Sequence, residues 1–188
     1  MLSKQAPLIA YYYLSIIKPG QLTWLFFSSN HLKIIIMKQQ TTSISEVKLI
    51  YKTKIKASER LKVKCSKDAC DIFMETWNKD SIEHTEEFVL LLMNRSNSVL
   101  GIFSVSKGGL SGTLTDIRLI YQAAIKANAS GIIVAHNHPS GNLNPSESDT
   151  KITKKIQDAG NLMDIQLLDH LILTPEGEYY SFADNGLL

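Results

Sequence analysis

The chain has 188 residues, which is enough for one domain with a hydrophobic core and a short extension. Hydrophobic residues make up 44% of it and charged residues 20%, as is ordinary for a soluble globular protein. The net charge is only +2, which does not indicate a nucleic-acid-binding protein, because such proteins usually have a clustered basic face.

The first 36 residues differ from the rest of the chain. They contain two apolar clusters separated by Lys18, Pro19 and Gly20, and neither reaches the ~18 residues needed to span a bilayer. No small-residue cleavage site of a secretory signal follows them. Met37 then opens a polar segment that is typical of a protein start. We therefore expect residues 1–36 to be a non-native upstream extension or disordered, and a short membrane-associating segment is the alternative.

Residues 37–65 are predicted to form an N-terminal arm with one strand, Val47–Ile55. Lysines alternate with uncharged residues at positions 52, 54 and 56, which favours a strand with one solvated face over a DNA-binding edge. The two cysteines of the chain, Cys65 and Cys70, are too few for a disulfide framework and wrongly spaced for a redox pair. Their number favours a reducing, cytoplasmic compartment.

Two apolar runs in the middle of the chain predict a β-hairpin. The first run is nearly continuous, as in a strand buried on both faces, and turn residues separate it from the second. A helix before the hairpin is predicted to have Ser66 as its N-cap. In chain order these elements are Ser66–Trp77, Phe88–Asn94 and Val99–Ser106.

Helices and strands then alternate toward the C terminus. A helix is expected to begin at Thr115 or Asp116 and to end near Lys126, and a later helix is expected to end at Gly160, because glycine commonly follows the last helical residue. The first of these helices should direct inward Ile117, Ile120, Ala124 and Ile125. The other elements are Gly131–Ala135, Glu147–Ala159, Ile165–Thr174 and Tyr179–Phe182. The pattern predicts an α/β or α+β fold with one central sheet flanked by helices.

Two histidines directly follow the buried strand, in His136-Asn137-His138. If the strand continues, side chains two residues apart point the same way, so both imidazoles address one point and Asn137 points elsewhere. Asp149 lies one turn into the next helix and is directed back toward the sheet. Two imidazoles and one carboxylate form a three-ligand set that leaves a fourth tetrahedral position for water, as in catalytic zinc sites.

Each part of this pattern also has a simpler interpretation. An isolated H-x-H is common in proteins that bind no metal, and Ser146 with Asp149 matches a helix capping box. The two roles of Asp149 are compatible, because a cap fixes the helix start that aims its carboxylate. Taken together, the spacing H-x-H-x7-S-x2-D is long and chemically coherent, and it favours a metal site.

The letters HNHPSG at 136–141, PS at 145–146 and Asp149 resemble the JAMM signature of the MPN/JAB metalloprotease superfamily, and its RadC branch in particular. The resemblance covers about residues 86–182. It implies a single JAMM/MPN domain over residues 66–188, in which a curved mixed sheet is flanked by helices in a cytidine-deaminase-like three-layer arrangement. It also implies one Zn²⁺ per chain, bound by the two histidines and Asp149.

The family also requires a glutamate on an early strand. Its members resemble E-x-F at this point, which selects Glu86, two residues before Phe88. Glu83 and Glu87 are the other candidates, and strand parity alone does not separate Glu86 from Glu87, because they face opposite sides. The alternative is that all three glutamates belong to a solvated acidic turn.

The reaction implied by the resemblance is hydrolysis of an amide or isopeptide bond by a zinc metallopeptidase. Zinc lowers the pKa of its bound water toward ~7, Glu86 takes the proton of that water and later delivers it to the leaving amine, and Ser146 donates a hydrogen bond to the oxyanion. Asp169 and His170 form a second polar pair, interpreted either as outer groups that orient the site or as a satisfied buried pair. His31 and His84 are interpreted as surface residues.

The expected partner is a protein or peptide substrate of unknown identity, without a membrane and without a stated oligomeric state. The alternative function is a DNA-repair-associated protein that binds DNA or a repair partner without proteolysis, because the RadC branch has that historical link. The residues before the JAMM part show no helix-hairpin-helix pattern, which weakens this alternative. A non-catalytic scaffold is disfavoured as well, because such domains usually lack the ligands that this chain has.

Overall fold

The computed structural model describes residues 50–53, 55–108 and 115–188. In chain order they form the 3₁₀-helix Ala57–Glu59, α1 (Ser66–Thr76), β1 (Glu87–Met93), β2 (Val99–Lys107), α2 (Ile117–Lys126), β3 (Gly131–Asn137), α3 (Glu147–Met163), β4 (Gln166–Leu173) and β5 (Tyr179–Ser181). No helix within these described ranges is long and apolar enough to cross a membrane.

The strands form one mixed sheet in the order β2-β1-β3-β4-β5. β1 and β2 pair as the predicted antiparallel hairpin, and β1 is also antiparallel to β3. β3 and β4 are parallel, with α3 as their crossover connection, and β5 pairs antiparallel with β4 at the edge. The register shifts at Phe88/Val89, at Leu92/Met93 and at Ile132/Ile133, and such irregularities bend a sheet.

Successive residues of the central strands face opposite sides of the sheet, and each side packs against different helices. The odd-numbered residues of β1 from Val89 to Met93 belong to the core that α1 covers. The even-numbered residues from Phe88 to Leu92 belong to the core that α2 and α3 cover. All seven residues of β1 are therefore buried, which explains the nearly continuous apolar run. The result is the predicted three-layer arrangement of helix, sheet and helices.

The strand predicted at Val47–Ile55 is wrong for the part of it that the structure describes. Residues 50–53 and 55 are exposed and have no strand pairing. One link between them and the sheet is a side-chain hydrogen bond, in which the Tyr51 hydroxyl donates to the Leu100 carbonyl at 2.5 Å. Alternation of charged and uncharged residues produces a strand only where a partner strand offers backbone hydrogen bonds. The remainder of this range and residues 1–36 lie outside the described residues.

Two details of the first two helices also differ from the sequence prediction. The N-cap of α1 is Cys65, whose backbone is extended, and Ser66 is the first helical residue. The Ser66 hydroxyl donates to Asp184 at 2.6 Å. In α2 the N-cap is Asp116, one of the two predicted candidates, and its carboxylate accepts from the backbone of the second helical residue. Ile125 does not face inward but is 52% exposed. Tyr121 is buried on α2 instead, beside Ile120 and Ala124.

The predicted end of α3 at Gly160 is wrong, because the helix continues to Met163 and Asp164 caps it with a φ of 54°. Gly160 is buried within the helix, where a Cβ atom would lie 2.3 Å from the Ile165 carbonyl oxygen and 2.7 Å from the Tyr121 hydroxyl oxygen. This glycine therefore permits a close approach of two other segments and does not terminate the helix.

We expect Gly160→Ala to lower the free energy of unfolding by about 1–3 kcal/mol, because overpacking of this size outweighs the ~1 kcal/mol by which alanine is the better helix former. Chemical denaturation measures the change. In the matched control Gly101→Ala, the added Cβ meets no atom within 4 Å, and the expected change is within about 0.5 kcal/mol. Equal stability of the two variants would contradict the close-approach role.

Candidate metal centre

The predicted ligands meet where the end of β3 approaches the start of α3. The Nε2 atom of His136 lies 3.0 Å from Nε2 of His138 and 3.3 Å from Oδ1 of Asp149. Nε2 of His138 lies 3.6 Å from Oδ2 of Asp149. One nitrogen or oxygen atom from each of the three residues lies within 4.8 Å of the others. The structure thus brings together all three side chains that the sequence proposed.

The spacing of these atoms fits a small tetrahedral cation. Zinc holds nitrogen and oxygen ligands at about 2.0–2.2 Å, so neighbouring ligand atoms of a tetrahedral site lie roughly 3.3–3.6 Å apart. The two histidine nitrogens lie 3.0 Å apart, and they lie 3.3 and 3.6 Å from different oxygens of the Asp149 carboxylate, so these separations are close to this range. Two imidazole nitrogens and one carboxylate are also a donor set of catalytic zinc sites. The residues present therefore fit Zn²⁺.

One ring nitrogen of His138 points away from His136 and Asp149, and the other points toward them. Its Nδ1 lies 2.5 Å from the carbonyl oxygen of Asn142, which only accepts, so Nδ1 is the protonated nitrogen and donates. In the neutral ring, Nε2 then has a lone pair directed at His136 and Asp149. The nearby carboxylate of Asp149 raises the pKa of His138 against the effect of burial, and the Asn142 carbonyl and the charge of Glu86 raise it further. A proton and a divalent cation would compete for this lone pair.

His136 is buried, and its second ring nitrogen contacts another histidine. Nδ1 of His136 lies 2.9 Å from Nε2 of His170, and Nδ1 of His170 lies 2.6 Å from the Thr153 hydroxyl oxygen. The Thr153 hydroxyl donates in turn to the backbone carbonyl of Asp149 at 2.5 Å. Thr153 was not among the residues singled out from the sequence, although its place four residues after Asp149 on α3 puts it on the same helix face.

The predicted polar pair Asp169-His170 is divided between the two sides of β4. His170 is completely buried on the side of the candidate ligands, and this burial holds its pKa well below the usual value. Asp169 accepts hydrogen bonds from the Ser181 hydroxyl at 2.7 Å and from the Ala183 backbone at 3.0 Å. His170 therefore contacts a candidate ligand, whereas Asp169 bonds residues of the C-terminal segment.

Asp149 is fixed by the predicted capping box at the start of α3. Both the backbone N–H and the hydroxyl of Ser146 donate to Oδ2, at 2.7 and 2.6 Å. Partial burial alone would raise the pKa of Asp149, but the neighbouring imidazoles of His136 and His138, together with the Ser146 hydroxyl, hold it well below its usual range. The carboxylate is therefore ionised at neutral pH, and its Oδ1 faces His136.

Ser146 contacts a candidate ligand in this structure. Its hydroxyl has one proton, which it gives to Asp149, and its oxygen also lies 2.7 Å from the Ser148 hydroxyl. The backbone N–H of Ser146 makes a separate bond to the same carboxylate oxygen. Donation from the hydroxyl to an oxyanion would require the side chain to leave Asp149, and this role stays a prediction.

The two neighbouring glutamates at the start of β1 have different surroundings. Glu87 is buried and accepts from the Ser81 hydroxyl at 2.6 Å, and its carboxylate pairs with Lys107 at 2.7 Å. Glu86 precedes by two residues Phe88, whose ring stacks on His136 with centroids 6.0 Å apart. The charge of Glu86 also contributes to the raised pKa of His138. Of the two, Glu86 is thus the one on the histidine side.

The remaining sequence candidates are exposed or lie outside the described residues. Glu83 and His84 are exposed in the turn before β1. The exposure of His84 agrees with its interpretation as a surface residue. His31 lies outside the described residues.

Asn137 points away from the ligands, as predicted, and fixes the segment that contains Glu86. Its amide nitrogen donates to the carbonyls of Ile82 and Thr85 at 2.7 and 2.9 Å, and its amide oxygen accepts from the Glu87 backbone at 2.8 Å. The direction of this side chain followed from strand parity. Its partners, which lie some fifty residues earlier in the chain, had no signal in the sequence.

Asn137→Ala is expected to lower the free energy of unfolding by at least about 2 kcal/mol, because unsatisfied buried polar groups cost about 1–3 kcal/mol each. Asn137 is completely buried, whereas Asn161 is exposed on α3. Asn161→Ala is therefore the control, with an expected change within about 0.5 kcal/mol in chemical denaturation. A loss no larger than that of the control would contradict the structural role of the amide.

Comparison with known proteins adds a family assignment to this geometry. Residues 63–187 match the family model of the RadC-like JAB domain. A UPF0758 protein of Flavobacterium johnsoniae is 47% identical over 126 residues, which are 67% of this chain and 53% of the relative. One from Porphyromonas gingivalis is 48% identical over 103 residues, which are 55% of this chain and 45% of the relative.

The chain spans about half the length of the curated relatives that it matches. The matched region contains the whole sheet and all the candidate ligands. The chain therefore belongs to the RadC-like JAB domain family, a branch of the JAB/MPN superfamily.

Proposed function

We propose that this chain is a zinc-dependent metallohydrolase that cleaves an amide bond in a peptide or isopeptide substrate. The observation that supports the proposal is the convergence of His136, His138 and Asp149, whose ligand atoms lie within 4.8 Å of one another. Membership of the JAB superfamily is consistent with a hydrolase. Three protein ligands are also the number typical of catalytic rather than structural zinc sites.

His136 and His138 would bind the ion through Nε2, and Asp149 would bind it through its carboxylate. The bound ion would supply Lewis acidity, which lowers the pKa of a water molecule toward ~7 and polarises a carbonyl group. The outer nitrogen of each histidine already has a hydrogen-bond partner, so both rings are oriented before the ion binds. The ionised carboxylate of Asp149 would offset part of the charge of the ion.

Glu86 is the proposed general base and acid. Its carboxylate would take a proton from the attacking water and deliver it to the nitrogen of the leaving amine. Ser146 is the proposed oxyanion donor, and its hydroxyl would have to release Asp149 Oδ2 to act. The backbone N–H of Ser146 would still hold that oxygen, so Asp149 would stay in place. Loss of one such donor typically lowers kcat by about 10²–10³-fold.

The proposed partner is a protein or peptide that presents the scissile amide to this site. The experiment incubates zinc-loaded protein, and in parallel the Glu86→Gln variant, with a lysate-derived peptide and protein mixture. We expect new amino termini, or newly released modifier proteins in the case of an isopeptide bond, only in the first sample, and none after the metal is removed with a chelator. Identical sets of amino termini and of released modifiers in both samples would contradict the proposed hydrolase. A cytoplasmic location stays a prediction from the cysteine content.

A further inference from the structure

The hydrogen bonds behind His136 form a chain that begins and ends at the candidate metal centre. It runs from Nδ1 of His136 to Nε2 of His170, from Nδ1 of His170 to the Thr153 hydroxyl, and from that hydroxyl to the Asp149 carbonyl. The chain links β3, β4 and α3, and both of its ends lie on residues whose side chains are candidate ligands. A buried polar pair that only satisfied its own hydrogen bonds would not need to connect two candidate ligands.

The direction of every hydrogen bond in this chain follows from its last member. A carbonyl oxygen only accepts, so the single proton of the Thr153 hydroxyl is donated to Asp149. The hydroxyl oxygen must then accept from His170, so Nδ1 of that ring has a proton, and complete burial between two phenylalanine rings disfavours a second, charging proton on Nε2. Nε2 of His170 is left as an acceptor, so Nδ1 of His136 must donate to it. His136 therefore has a bare Nε2, the atom that lies toward His138 and Asp149.

We propose that His170 and Thr153 are positioning residues that hold His136 in the tautomer protonated at Nδ1 and so direct its Nε2 lone pair at the metal. This inference rests on the proposed function for the metal, but the tautomer itself is a property of the protein. Outer partners of this kind fix the orientation of a ligating histidine and its tautomer. In His138 the carbonyl of Asn142 fixes the same tautomer, with the proton on Nδ1.

The surroundings of His170 prevent it from changing partners. Its ring stacks on Phe182, with centroids 4.8 Å apart and planes at 10°, and contacts Phe88 at 5.5 Å on a tilted plane. The ring is completely buried. A rotation that exchanged Nδ1 and Nε2 would break both hydrogen bonds without offering water in return. The ring is thus a fixed intermediate between Thr153 and His136.

The tautomer is measured on the metal-free protein by ¹⁵N NMR of labelled histidines, about two pH units above the usual imidazole pKa of ~6.5, where neutral rings dominate. We expect His136 to be protonated at Nδ1 in the wild type. Thr153→Val keeps the shape of the side chain but removes the acceptor for His170, so we expect the form of His136 protonated at Nε2 to appear. Thr150→Val is the matched control, because Thr150 is an exposed residue of the same helix whose hydroxyl also bonds the carbonyl four residues earlier.

Zinc affinity, measured by competition with a chelator, is the second readout. We expect Thr153→Val and His170→Phe to weaken it by about 10–100-fold, as outer-partner losses do, and Thr150→Val to leave it unchanged. His170→Gln should retain more affinity than His170→Phe, because its amide oxygen can still accept from His136. If His170→Phe fails to fold, Thr153→Val still decides the question.

Two results would overturn the inference: wild-type His136 protonated at Nε2, or equal tautomer ratios and zinc affinities in Thr153→Val and Thr150→Val. A wild-type protein that binds no zinc, yet shows the expected tautomer and its loss in Thr153→Val, would support the hydrogen-bond chain and contradict the proposed function. The two proposals therefore fail separately.

Discussion

Replacing His138 with alanine is expected to abolish stoichiometric zinc binding, whereas replacing His84 with alanine should leave one zinc per chain. Nε2 of His138 lies 3.0 and 3.6 Å from the other two candidate ligands, so its loss leaves only two. Removal of a direct ligand should weaken zinc binding by more than the about 10–100-fold that loss of an outer partner costs. Elemental analysis of gel-filtered protein measures the stoichiometry, and competition with a chelator measures the affinity.

The control is matched because His84 is an exposed histidine of the same described region. A thermodynamic readout is independent of any substrate: zinc at 100 times its Kd should raise the free energy of unfolding of the wild type and of His84→Ala by about 2.7 kcal/mol. The same zinc concentration should leave His138→Ala almost unchanged. Full zinc retention by His138→Ala at wild-type stoichiometry would eliminate the metal centre and the hydrolase proposal with it.

The ligand set could be predicted from the sequence because each of its parts depends on local geometry. His136 and His138 share a direction because the β3 strand continues to Asn137, and the side-chain period of a strand is two residues. The carboxylate of Asp149 is oriented by a capping box, and the four consecutive residues 146–149 show this motif in the sequence. The apolar run of β1 likewise reflects its burial on both faces.

Two open alternatives depended on one long-range fact, namely which side of the sheet holds the ligands. Phe88 pairs with His136 across β1 and β3, so the even-numbered residues of β1 face the side of the candidate ligands. This parity places Glu86 on that side and Glu87 on the opposite side. The pairing of His136 with Ile172 across β3 and β4, together with the side-chain contacts, does the same for His170 and Asp169. Strand register joins residues that are distant in sequence, so a local pattern contains no information about it.

Gly160 shows a different limit of the sequence prediction. A glycine near the end of a helical pattern has two physical uses, a left-handed cap and a close approach of backbone, and their sequence signals are the same. The partners that distinguish them, Ile165 and Tyr121, are known only when the layers are packed. The same holds for Thr153, whose function depends on a histidine from β4.

Glu86→Gln is expected to lower kcat by about 10²–10⁴-fold on a substrate identified from the cleavage screen, because an amide of the same size cannot accept the proton of the attacking water. Zinc stoichiometry should stay at the wild-type value, since Glu86 is not a proposed ligand. Retention of zinc separates a loss of proton transfer from a loss of the metal centre. The measurement is steady-state kinetics together with elemental analysis of the same samples.

Glu87→Gln is the matched control, because the neighbouring glutamate lies on the other side of β1. Its carboxylate is bonded to Ser81 and Lys107, so the substitution should lower the free energy of unfolding and leave kcat close to the wild-type value. The opposite pattern, in which Glu87→Gln loses activity and Glu86→Gln keeps it, would reverse the assignment of the base. Equal, wild-type activity of both variants would show that another group accepts the proton. The assignment to Glu86 depends on the side of the sheet on which Phe88 stacks against His136, so these variants test it directly.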